Sequence, residues 1–225
     1  MKPVPDVATS DSIAALTEKY HEYSQTILLS GISILWLTPE DSRSENLLRL
    51  YRTRAYSFEA LREAALQLFL LAGFQASLEA AFQIEAVYGH GLGEGTCDTV
   101  RAPDEWHRRG LELQKAVYGD KVDKLRQNLT RISPELSAWT VTIGYGLVLS
   151  RKGLPAKVRE LLEIAVLAAQ GFPRQLHSHL KGALNLGASQ AEIEVVLEVA
   201  ARLIPEGKYT LAMQVWQDVH GSLPK

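Results

Sequence analysis

One cysteine in 225 residues, Cys97, excludes an internal disulfide, a Cys-x-x-Cys redox pair and a thiolate metal cage within the chain. An excess of charge of either sign is lacking too. The formal net charge is -2, so there is no electrostatic footprint for nucleic acid or an anionic membrane, and neither is expected as a partner. The longest apolar run, Ile27 to Leu37, has about half of the roughly 20 residues a membrane span needs and reads as a buried helix. The opening MKPVPDVATSDS lacks the basic-then-apolar order of a signal peptide, and a cytoplasmic location is the expectation. Strand-like alternation is missing throughout.

What is present is helical periodicity. Leu, Ala, Glu, Lys and Arg recur at helical spacing along nearly the whole chain, and 46% hydrophobic residues suffice for a sizeable core, so the fold class is all-α. Ser10 or Asp11 is expected to cap the first helix, and Thr38-Pro39-Glu40-Asp41 to break the chain after the apolar run. Ser57 precedes an amphipathic stretch that Gly73 interrupts and that ends near Tyr88. The glycine-rich GHGLGEG at 89–95 reads as a linker, because no strand precedes it as a phosphate loop requires. Beyond it, helices are expected over about Asp104–Tyr118 and Asp120–Arg131, and from a Ser133 cap to about Leu149. Ser189 and Glu192 form a capping box, and a last helix is expected after Gly207.

The residues with chemistry to offer lie between Lys157 and Leu197, where an apolar helix, a Gly-Phe-Pro corner and a helix bearing His177 and His179 follow one another. Positions two apart on a helix diverge by about 200°, so the two histidines cannot face one pocket. His179 shares its face with Gln175, Gly182 and Ala183, whose size leaves room for a ligand or a close helix. No metal site is expected, since metal-binding histidines are better placed three or four apart and no carboxylate stands nearby in sequence. Arg159, Lys181, Arg109 and Arg151 are candidates to grip a substrate carboxylate. Trp106, Trp139, Tyr145 and Trp216 are expected in the core.

A shift of 132 positions lays Leu29 on Leu161, Ile32 on Ile164, Leu48 on Leu180 and Ser57 on Ser189. Residues 1–95 are accordingly read as a degenerate first helical repeat and 96–225 as a second. In this register Glu160 falls on Leu28, His177 on Glu45 and His179 on Leu47, so the polar groups belong to the second copy.

That second copy resembles the carboxymuconolactone decarboxylase family, within the wider alkylhydroperoxidase D-like superfamily. The likeness runs from about Trp106 to Trp216 through HRRGLELQKAVYGDKVDK, YGLVLSRKGL, the Arg159-Glu160 pair and QLHSHLKGALNLGASQAEIEVVL. It implies an alkylhydroperoxidase D-like helical bundle of two tandem repeats and a homo-oligomer, such as a trimer. In the superfamily's peroxidases a glutamate precedes a Cys-x-x-Cys by twelve residues and a histidine by nineteen. Counted from Glu160, those places hold Phe172, Gln175 and His179, so glutamate and histidine persist without the cysteines. Disulfide-based peroxide reduction is thereby disfavoured.

The resemblance implies a cofactor-independent, decarboxylase-like lyase acting on a small carboxylated lactone or related organic acid. His179 would be the general acid and Glu160 its orienting partner, with His177 a further candidate. Arg159, Gln175, Lys181 and Arg109 would bind substrate. The alternative from another class is a non-catalytic helical scaffold or small-molecule binding protein, in which His179 would be paired with backbone and no pocket would lie beside it.

Overall fold

The computed structural model describes residues 6–38, 40–93 and 103–222. Cys97 and the expected boundary between residues 95 and 96 lie outside them. Among the described residues the fold is helical with no strand. The elements are α1 (Asp6–Lys19), α2 (Ser24–Leu35), α3 (Arg43–Thr53), α4 (Phe58–Tyr88), α5 (Pro103–Tyr118), α6 (Val122–Ile132), α7 (Pro134–Trp139), a π-helix (Thr140–Leu149) continuing from α7, α8 (Ala156–Gln170), α9 (Pro173–Asn185), α10 (Gln190–Leu203) and α11 (Glu206–Gly221).

Two of these helices form the centre. A helix that is apolar on every side must be buried on every side. In α2 the stretch Ile27–Leu35 is buried throughout, and in α8 so is Arg159–Ala169. They pack against each other, α10 lies on α2, and α4 lies on α8. The main core runs through α1 to α4 and α8 to α11, while Val117, Tyr145 and Leu149 form a small separate cluster under α5 and the π-helix. That second layer touches α9 and α4, and the seam between it and the main bundle is where the site forms.

Local chemistry sets the ends of the elements. Ser57 and Ser189 each accept a backbone N–H three residues on, and Ser189 with Glu192 completes the capping box. Ser133 caps α7, with Pro134 at its first position. Gly73, at φ 89° and ψ 175°, breaks α4 as the sequence suggests. Two expectations are corrected. α1 is already running at Asp6, so Ser10 and Asp11 do not open it. α11 begins at Glu206, after the extended Pro205, so Gly207 lies inside its first turn.

The π-helix closes the second layer tightly. Its widened turn is seen where Ser150 N–H donates to the Tyr145 carbonyl, five residues back, at 2.9 Å. A Cβ on Gly146 would stand 2.0 Å from the Trp106 carbonyl oxygen, and one on Gly110 2.0 Å from that of Val141. Only glycine permits this crossing.

By length and composition α4 is, among the described residues, the one helix able to cross a membrane. It breaks at Gly73, and its first part turns Glu63 and Gln67, each 1% exposed, into the protein interior.

Candidate active site

Glu160 and Glu163 are spaced i, i+3 and therefore share one face of α8. The Gly-Phe-Pro corner reverses the chain: Gly171 takes the left-handed conformation at φ 81°, and Pro173 sits in the first turn of α9. α9 then runs back along α8 and brings His179 over both carboxylates. Its Nδ1 lies 2.8 Å from Glu160 Oε2 and 2.7 Å from Glu163 Oε2. The side chains of Glu160 and Glu163 are each 3% exposed and that of His179 is 13% exposed, so the imidazole is the group that meets solvent.

Burial alone would push the His179 pKa down. The two carboxylates outweigh it, with Glu163 the larger influence, and hold the imidazole well above its ordinary value. For Glu160 burial is the main cause and raises the pKa, against the pull of His179 and with a further push from the Glu163 charge. Burial thus favours the protonated form of Glu160, and the neighbouring carboxylates favour the protonated form of His179.

His179 and Glu163 form part of the wall of a cavity of about 780 Å3. The rest is mostly apolar, with Ile143, Leu149 and Leu167 inside and the exposed Leu136, Trp139 and Phe172 near its edge. Tyr118 and Tyr145 line it too, their hydroxyls 2.7 Å apart. Burial raises the pKa of both, so they stay neutral and able to donate. Arg174 is the one lysine or arginine in the lining among the described residues.

The residues singled out in the sequence divide accordingly. Glu160 and His179 meet directly, and Gln175 lines the cavity. His177, Lys181 and Arg109 do not line it. His177 projects elsewhere, and its pKa is lowered by burial and by neighbouring Lys181. Arg159 is corrected as a substrate anchor. Adjacent helical positions diverge by about 100°, and its guanidinium points toward α4, where it holds Glu63 at 2.9 Å and is 2% exposed. Arg151 holds the same carboxylate. Trp139, expected in the core, is 57% exposed.

The expectation that no carboxylate stands near His179 is corrected as well. The ligating atoms of Glu160, Glu163 and His179 lie within 4.8 Å of one another, an oxygen and nitrogen set of the sort divalent metals accept. In the first half, Leu28, Gly31 and Leu47 stand at the 132-residue offset from these three, and a Cβ on Gly31 would lie 3.0 Å from Leu47 Cδ1.

The model of the carboxymuconolactone decarboxylase family matches residues 134–218. A 4-carboxymuconolactone decarboxylase of Acinetobacter baylyi is 32% identical over 95 residues, covering 42% of this chain and 71% of the relative. The chain belongs to the carboxymuconolactone decarboxylase family. A nitrosuccinic acid decarboxylase of Metarhizium robertsii is 33% identical over 103 residues, 43% of the chain and 72% of the relative. Peroxisomal protein 2 of Saccharomyces cerevisiae is 32% identical over 103 residues, 45% of the chain but 36% of the relative. The region matching the carboxymuconolactone decarboxylase family holds Glu160, Glu163, Arg174 and His179. It does not hold Tyr118 or Gln67, which the fold brings to the same cluster.

Four of these groups were missed in the sequence. Glu163 carried a usable signal, standing three residues after Glu160 on an otherwise apolar helix. Arg174 stands beside Gln175 on the helix of His179 and was passed over, while Tyr118 and Gln67 carried no signal, because what places them is the docking of separate helices.

Proposed function

We propose that this chain is a cofactor-independent decarboxylase acting on a small carboxylated lactone or related organic acid. The observation that carries the reading is His179, held over two buried glutamates on the wall of an apolar cavity that has Arg174 as its cation. Two relatives named as decarboxylases support it.

Decarboxylation needs an acid whose carboxyl-bearing carbon adjoins an electron sink, such as a conjugated lactone carbonyl or a nitro group. The leaving carboxylate occupies apolar surroundings, where its charge is poorly solvated and CO2 is favoured. The C–CO2 bond breaks, its electron pair passes into the sink, and the Tyr118–Tyr145 pair supplies a hydroxyl hydrogen bond to the oxygen that gains charge. Arg174 holds a second acidic group of the substrate. Because Nδ1 of His179 is committed to the glutamates, Nε2 serves the cavity, and its proton goes to the carbon that lost CO2. Solvent returns that proton to His179, so each turnover consumes one proton and releases one CO2.

The binding-protein alternative predicts a histidine paired with backbone and no cavity beside it. His179 instead faces two carboxylates and a cavity. Phe74, Leu78 and Phe82, exposed at i, i+4, i+8 on α4, support self-association of the chain.

CO2 release from 4-carboxymuconolactone and from nitrosuccinic acid by the purified chain tests the proposal. Turnover of either supports a decarboxylase. Absence of turnover on both and on a panel of related small acids would overturn it.

A further inference from the structure

Gln67, 1% exposed on α4, joins the two halves of the chain. Its amide nitrogen donates to the Arg159 carbonyl at 2.9 Å and to Glu163 Oε1 at 3.3 Å, using both hydrogens. Its amide oxygen accepts from Arg159 Nη1 at 3.3 Å. A guanidinium only donates, so it fixes the amide oxygen on its own side and turns the nitrogen toward Glu163. Arg159 is itself immobilised by Glu63 at 2.9 Å and by the carbonyls of Arg151 at 3.0 Å and Leu154 at 3.3 Å.

Both oxygens of Glu163 thus face donors, Gln67 on one and His179 on the other. Glu160 receives only the His179 contact among the described residues. Two carboxylates that share one imidazole are not equivalent once a third group donates to just one of them, because a hydrogen bond to the charged form favours that form.

We propose that Gln67 is a positioning residue that selects Glu163 as the anion of the cluster, leaving Glu160 as the carboxylic acid and His179 as the cation. The charge on Glu163 is what keeps His179 protonated and ready to donate. Gln67 touches no substrate, and Arg159, which looked like a substrate anchor in the sequence, acts as the clamp that orients it. The first half of the chain, which already lends Phe69, Leu70 and Leu71 to the cavity wall, therefore also supplies a working part of the polar cluster. Of the other groups facing the cluster, Tyr118 and Tyr145 are neutral hydroxyls, while the Arg159 charge acts on Glu163 in the same direction as Gln67, which is the group that touches the carboxylate.

This inference rests on the proposed function only for the use to which the proton is put, so its test reads the proton directly. Imidazole NMR of the full chain follows the titration of His179, whose signal is assigned by its loss in His179→Asn. Gln67→Met keeps the volume and removes the donor, and Gln67→Asn keeps the amide but shortens its reach. In both, the His179 midpoint is expected to fall by about one pH unit, the scale of one charge-stabilising hydrogen bond. On an acid the parent turns over, kcat is expected to drop by about tenfold with KM nearly unchanged. A folded Gln67→Met chain with an unchanged midpoint would make Gln67 a packing residue and overturn the proposal. Failure of both variants to fold would overturn it equally. Absence of turnover on every acid would remove the decarboxylase reading while leaving the titration interpretable.

Discussion

Gly182 makes room for Glu160. A Cβ at position 182 would stand 2.6 Å from Glu160 Oε2 and 2.7 Å from Val117 Cγ1, so the α9 backbone meets the α8 carboxylate only because no side chain intervenes. Gly182 lies three residues after His179, and one stretch of α9 thus carries both the imidazole and the gap its partner occupies.

Gly182→Ala is therefore expected to displace Glu160 and to cost about 1–3 kcal/mol of stability, the usual penalty for overpacking. Activity should fall further than stability accounts for, because the carboxylate that moves is one of the two against His179. Thermal unfolding and kcat on the same preparation check this. A variant with parental kcat would show that Glu160 has no part in the chemistry.

The fold was legible in the sequence to the extent that it is local. Helical periodicity, the Ser57, Ser133 and Ser189 caps and the Gly73 break all follow from neighbouring residues, and each is where the pattern placed it. The Glu160–His179 pair was legible through family resemblance, and their meeting across α8 and α9 is a hydrogen bond of 2.8 Å. Arg159 misled because a charge beside Glu160 looks available until helix geometry turns it toward Glu63. Gln67 and Tyr118 were invisible because helix docking, not sequence spacing, brings them to the site.

Stability is expected to decline above neutral pH. His179 is held above its ordinary 6.5 by the two carboxylates against burial, and Glu160 above its ordinary 4.5 chiefly by burial. Each binds its proton more tightly folded than unfolded, so its contribution is complete below the ordinary value and is lost as pH rises toward the folded one. His177, lowered by burial, acts in the opposite sense but only below 6.5. The unfolding midpoint should therefore fall as pH rises, the Glu160 share being lost from above 4.5 and the His179 share from above 6.5, and the less stable His179→Gln chain should lack the His179 share of that decline. A flat profile in the parent would contradict the charge assignment.

The two arginines should separate cleanly. Arg174→Ala is expected to raise KM by about tenfold with little change in stability, since an exposed cation at the cavity is worth about one charge-assisted hydrogen bond to substrate. Arg159→Met should instead cost about 1–3 kcal/mol of stability, because it takes the most deeply buried guanidinium away from Glu63 and leaves that carboxylate to Arg151 and Arg62. Steady-state kinetics alongside denaturant unfolding distinguishes them. A large KM effect from Arg159→Met in a stably folded chain would return Arg159 to the substrate site.

The central claim is that His179 gives the proton that replaces CO2. The most direct test is kcat for CO2 release by His179→Ala, beside the parent, on an acid the parent turns over. The expected loss is at least about a hundredfold, the low end of what a positioned general acid contributes. A folded variant that retains turnover within about threefold of the parent would contradict the account and move the proton donor elsewhere in the cavity.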